Sequence, residues 1–175
     1  MLTKLHVTML VVAVISTGIA VLGLVSSPAL ASIEEPFNAT LTGGEEVPPV
    51  ETQASGTAQF QMLAEDAMSY TVNATGIQGV TAGHIHTGSP GENGEVLVTL
   101  FSYDPSQDGV AEAGTITADD LEGPMAGSPL SDLMDAMENG ETYVNIHTEQ
   151  NPNGEIRGQI YDVSIIGGMS LSLEP

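Results

Sequence analysis

Over most of this chain apolar residues recur at every second position, in short runs separated by Gly, Pro and Asn. An extended strand turns successive side chains to opposite faces, so this period spells half-buried strands rather than helices. Residues 36–41 (PFNATL) form a short first run. In TAQFQML, Ala58, Phe60 and Met62 share a face; in MSYTVNATGI, Met68, Tyr70, Val72 and Ala74 do. The acidic AEDA between these two runs marks a hairpin turn. VTAGHIH and GEVLVTLFSY follow, joined by TGSPGENG, and then GVAEAGTITADDL. YVNIHT and EIRGQIYDVSI come last, joined by EQNPNG. Short strands with such turns predict an all-β domain, either an antiparallel sandwich of Ig-like, Greek-key type or a barrel.

One segment departs from the pattern. In GSPLSDLMDAMENG, Leu130, Leu133, Met134 and Met137 fall at helical spacing. The spacing predicts one short helix, with Ser128 as its cap, Pro129 in its first turn and Gly140 at its exit. Its Leu/Met stripe is expected to pack on the core.

The ends of the chain read differently from its middle. Residues 1–31 have a polar start with Lys4 and His6, a long apolar run, and small residues at Ala29 and Ala31 before Ser32. That order is the pattern of a cleaved export signal, with an uncleaved membrane anchor as the alternative because the run is long. Residues 32–163 then form one domain, and residues 164–175 a polar C-terminal tail too short to anchor in a membrane. The expected location is secreted or cell-surface, with no membrane contact once the signal is cut.

Charge limits the partners. The chain carries 23 acidic residues against 2 Lys and Arg, and removing the signal leaves Arg157 as the one strong cation. Such a surface repels nucleic acid and anionic head groups, so neither is an expected partner. Cysteine is absent. No disulfide can hold the exported fold, and thiolate metal sites and cysteine nucleophiles are excluded.

Imidazoles and carboxylates are then the strong side-chain metal ligands that remain. On a strand, His84 and His86 point to the same side, opposite Ile85, about 7 Å apart along the backbone. In YVNIHT, His147 lies opposite in parity to Val144 and Ile146. If the two strands are neighbours, all three histidines share one face and form a three-nitrogen set for copper or zinc with one position open. The other reading gives these histidines a structural or pH-sensitive hydrogen-bonding role. Glu92, Glu95 and Glu149 lie near enough in sequence to be a fourth ligand or to support the three. Arg157 is expected to be held by carboxylates such as Glu155, Glu149 or Glu95. No G-x-S-x-G elbow and no phosphate-binding loop is present, and no catalytic residue is assigned.

GHIHTGSPGENGEVLVTL, the segment GTITADDLEGP and the ending YVNIHTEQNPNGEIRGQI together resemble the CHRD domain, the module named after chordin. The resemblance covers about residues 37–161. It implies an extracellular β-rich module without an established catalytic activity. The cysteine-rich modules that accompany the domain in chordin are missing, so growth-factor antagonism is not implied. The family pattern includes His84, His86 and His147. The expected function is an extracellular binding or surface-interaction module whose partner is a protein or other cell-surface component. The alternative is a copper- or zinc-binding protein with redox or hydrolytic chemistry.

Overall fold

The structure is a computed structural model and describes residues 37–64 and 66–162. The expected signal and the tail lie outside the described residues. Period-two runs become β1 (Phe37–Thr42), β2 (Ser55–Ala64), β3 (Ala67–Thr75), β4 (Val80–Thr87), β5 (Val96–Gln107) and β6 (Val110–Ile116). The helix α1 (Leu130–Glu138) follows, and then β7 (Thr142–Thr148), β8 (Ile156–Gln159) and β9 (Tyr161–Asp162).

These strands form one sheet in the order β5-β4-β7-β8-β1-β2-β3-β6, with β9 beside β1. All the pairings are antiparallel. The sheet curls until its two ends meet. Tyr70 of β3 donates a hydrogen bond to the Leu100 carbonyl of β5, and Tyr103 of β5 donates to Glu112 of β6 at 2.8 Å. The expected sandwich or barrel is thus a nearly closed barrel. Side chains rather than a backbone ladder bridge its last gap, which blunts the two exposed edges.

The alternating residues settle as their parity requires. Phe37, Ala39 and Leu41 of β1, Ala58 and Phe60 of β2, and Met68, Val72 and Ala74 of β3 are buried in one core. Ile85 of β4, Val144 and Ile146 of β7, and Ile156 of β8 join them. At ~25 cal/mol per Å² of apolar surface removed from water, this shared core is the main stabilising term, as a chain without disulfides requires. Leu130, Leu133 and Met137 of α1 are buried as the stripe predicts. The cap differs from expectation. Pro129 occupies the N-cap position with no side-chain hydrogen bond, while the Ser128 amide donates back to the Met125 carbonyl. The helix begins one residue later than the spacing predicts, so Ser128 lies before the cap.

β7 is unusual in burying nearly every residue on both faces. Val144 and Ile146 face the core, so Tyr143 and Asn145 must be covered from outside. Two loops do this: residues 43–54 after β1 and residues 88–95 after β4. Asn93 ties one loop to the other by donating to the Val47 carbonyl at 2.8 Å. The barrel therefore has a second, polar layer on the outer face of β4, β7 and β8.

On its core-facing parity, β8 approaches the backbone of β1 closely. At Gly158, a Cβ would collide with the Thr40 carbonyl oxygen and lie 3.2 Å from the Leu41 nitrogen. Both are backbone atoms and neither can step aside. Gly158→Ala is expected to destabilise the fold by about 2–3 kcal/mol in urea unfolding. Gly44→Ala, where the nearest atom would be 3.8 Å away, should change it by less than ~0.5 kcal/mol. Equal effects at the two positions would contradict this packing.

Candidate metal centre

The histidines come together because β4 and β7 are neighbours. Ala82 lies opposite His147, His84 opposite Asn145, and His86 opposite Tyr143. All six positions share one parity, so they project onto the outer polar face. The ring centroids form a near-triangle: 5.6 Å from His84 to His86, 4.8 Å from His84 to His147, and 5.7 Å from His86 to His147. One ring nitrogen from each lies within 4.8 Å of the others.

Two of the rings are oriented by backbone carbonyls. His86 Nδ1 is 3.1 Å from the Gly94 carbonyl, and His147 Nδ1 is 3.1 Å from the Pro152 carbonyl. A carbonyl only accepts, so each Nδ1 carries the proton and each Nε2 keeps its lone pair. Those two Nε2 atoms, together with His84 Nδ1, are buried and have no hydrogen-bond partner. An unmade hydrogen bond at a buried polar atom costs ~1–3 kcal/mol. Three such atoms in one cluster are therefore a sizeable unmet requirement. Ring nitrogens fixed through the opposite nitrogen to a carbonyl are also how ligating histidines are held.

Their protonation is tuned in the same direction. Burial, then the neighbouring His147 and His86, push His84 down to about 4, against a smaller pull from Glu122. Burial lowers His86, with the Gly94 hydrogen bond opposing it and Arg157 adding to it. Burial also lowers His147, opposed by the Pro152 hydrogen bond. All three are thus neutral at pH 7, the form that binds a metal.

Behind His86 stands a second row. The Tyr143 ring stacks on His86 at 5.0 Å with an interplanar angle of 8°, and its hydroxyl accepts from the Gly94 amide at 3.2 Å. The Arg157 Cζ lies 3.6 Å from the Tyr143 ring centroid, and β7, which carries Tyr143, runs between the strands of His86 and Arg157. The guanidinium donates to the Asn93 side-chain oxygen at 3.1 Å and to the Glu92 carbonyl at 3.0 Å. This corrects the expectation that carboxylates of Glu155, Glu149 or Glu95 hold Arg157. Glu155 instead accepts from Thr52, Thr148 and Asn151, and Glu149 accepts from Ser106. Glu95 offers its backbone carbonyl to Thr87. Among the described residues no carboxylate joins the three histidines as a potential ligand.

The sequence reading missed Tyr143 and Glu46. The parity of β7 already placed Tyr143 beside His147, but nothing local shows that β8 brings Arg157 alongside. Glu46 is 5 % exposed. It sits by Gly154, where any Cβ would collide with Asn145 and come within 2.7 Å of Glu46 Oε1. Burial raises its carboxyl to about 7, against the lowering pull of Arg157 and Asn145.

Because this folded value lies above the unfolded one, folding takes up a proton between about pH 4.5 and 7. Stability from Glu46 is full below that window and falls as pH rises through it. His84 acts oppositely: the stability tied to its neutral form is lost as pH falls from about 6.5 toward 4, and His86 and His147, also lowered, act in the same sense. Glu46→Gln should therefore raise stability at pH 8 by roughly 1–3 kcal/mol and change it little at pH 5. Equal shifts at both pH values in thermal unfolding would contradict a buried, proton-binding Glu46.

A search of curated proteins finds no relative of this chain. A family model does match, over residues 37–160, and its description is the CHRD domain. That span runs from the first residue of β1 to the residue after β8, and it contains all three histidines. The chain belongs to the CHRD-domain family.

Proposed function

We propose that this chain is an exported CHRD-domain module that binds one copper or zinc ion through His84, His86 and His147. The observation that carries this reading is the coincidence of two sets of atoms. The buried ring nitrogens without a hydrogen-bond partner belong to the same three side chains that cluster within ligand distance. A purely structural histidine satisfies its buried nitrogens, whereas here each ring leaves one open.

The donor set supports copper or zinc over the hard cations. Three imidazoles with no carboxylate are a poor cage for calcium or magnesium, which take oxygen ligands. Three protein nitrogens also leave a coordination position for water or a small molecule. Export rests on the pattern of residues 1–31. A protein-contact role has less to support it, since Leu63 and Tyr161 are the large apolar side chains exposed among the described residues.

The deciding experiment is metal content after purification without a histidine tag. Copper or zinc near one equivalent is expected, with at least tenfold weaker binding in His86→Ala and His147→Ala. Metal at 100 times its dissociation constant should add ~2.7 kcal/mol of stability to the parent chain and little to either variant. His84→Leu gives a sharper sign. It removes an orphaned nitrogen, so the metal-free variant should be at least as stable as the metal-free parent, while metal no longer stabilises it. A chain that takes up neither ion, or a His84→Leu variant that unfolds more easily without metal, would reject the site.

A further inference from the structure

We propose that Arg157, acting through Tyr143, makes the three-histidine site selective for a singly charged ion, Cu(I), over Cu(II) and Zn(II). The inference rests on the metal reading above and goes beyond it in naming the ion and the residue that sets the preference.

Two independent observations point to it. The first is charge. Every ligand is a neutral imidazole, so an ion here keeps its full charge instead of sharing it with a carboxylate. The one strong cation of the CHRD domain lies in the row behind. Arg157 is 2 % exposed, and its hydrogen bonds go to a carbonyl and an amide oxygen, neither of which carries a compensating charge. Glu46, the buried acid that feels Arg157, is itself held partly protonated near neutral pH. Glu122, the acid that feels His84, is exposed, and water screens it. Guanidinium, phenol ring and imidazole are stacked in sequence, with 3.6 Å from Arg157 to the Tyr143 ring and 5.0 Å from there to His86. Taken end to end, with a metal–nitrogen distance of ~2 Å, these spacings put an ion on His86 roughly 10 Å from the guanidinium. At an effective dielectric constant near 20, each added unit of ionic charge is disfavoured on the order of tenfold.

The second observation is spacing. Ligand nitrogens around a tetrahedral Zn(II) lie roughly 3.3 Å apart, given metal–nitrogen distances of ~2.0–2.1 Å. The three nitrogens here spread over as much as 4.8 Å. The strands that carry them are fixed on both sides, β4 between β5 and β7, and β7 between β4 and β8. A set this wide suits an ion content with two nearly opposed nitrogens, roughly 4 Å apart, better than one that demands four at tetrahedral spacing.

Tyr143 has a definite part in this. Its phenol accepts the Gly94 amide, and Gly94 in turn supplies the carbonyl that orients His86. The ring therefore fixes both the distance of the cation and the direction of the ligand. Arg157 is a positioning and selectivity residue in this scheme and touches no ion.

The test compares affinities for Cu(I), Cu(II) and Zn(II) on the full chain, with Cu(I) measured anaerobically by competition against a colorimetric chelator. The parent chain should hold Cu(I) more tightly than Cu(II). Arg157→Gln should strengthen Cu(II) and Zn(II) about tenfold relative to Cu(I), equivalent to a fall of ~59 mV in the potential of bound copper. Arg157→Lys should restore most of the preference. If Arg157→Gln fails to fold, the order of Cu(I) and Cu(II) affinities on the parent decides alone, and tighter Cu(II) overturns the inference. A folded Arg157→Gln with unchanged selectivity also overturns it and leaves the metal site standing. No binding of any of the three ions by the parent would instead overturn the metal reading itself.

Discussion

One buried guanidinium organises the outer face of this barrel. Arg157 lies flat on Tyr143 and reaches out to the Glu92 carbonyl and the Asn93 side chain. Those contacts pull the loop of residues 88–95 down over β7. Only with that loop in place does the Gly94 carbonyl meet His86 and the Gly94 amide meet Tyr143. Gln159, next in parity on β8, ties the start of the loop by donating to the Gly88 carbonyl at 2.9 Å. Burying a charge costs several kcal/mol unless its hydrogen bonds are made and its field is used. Here a carbonyl, an amide oxygen and an aromatic face share the compensation, and the loop that provides it also orients a histidine.

Strands, helix and the common parity of the three histidines were legible in the sequence because each depends on neighbours within a few residues. His84 and His86 had to share a face whatever the rest of the chain did, and Ile85 had to oppose them. The adjacency of β4 and β7 was not legible, since some 60 residues separate them and pairing is a property of the whole sheet. Irregular register between β4 and β5 at Gly83/His84 and at Ile85/His86 was equally hidden. The partners of Arg157 were misjudged for a related reason. Carboxylates near it in sequence are the counter-charges that spacing alone suggests, yet Glu155 accepts from Thr52, Thr148 and Asn151. Strand alternation would put Glu155 and Arg157 on one face, but Glu155 precedes β8 (Ile156–Gln159) and belongs to the turn before it.

Glu46 and Gly154 show a different limit. The stretch TGGEEVPPVETQASG after β1 is rich in Gly, Pro and Glu, and nothing in it separates Glu45 from Glu46. In the fold one of them is exposed and the other lies 5 % exposed beside Asn145. Gly154, at φ +131°, supplies the missing side chain that lets both groups fit. Distant segments created that burial, so composition could not announce it.

The electrostatics of the site follow from burial more than from net charge. A formal charge of −21 suggests a uniformly negative protein that would welcome any cation. Most acidic groups among the described residues are exposed, however, and charges beyond about 8–10 Å across water are largely screened at physiological salt. Arg157 is inside, where screening is weak, and Tyr143 separates it from His86 by a single ring. The surface therefore governs the approach of ions, and the buried cation governs what they meet on arrival. A long-range field that attracts every cation and a local field that penalises the second unit of charge are compatible. Together they separate capture from selection.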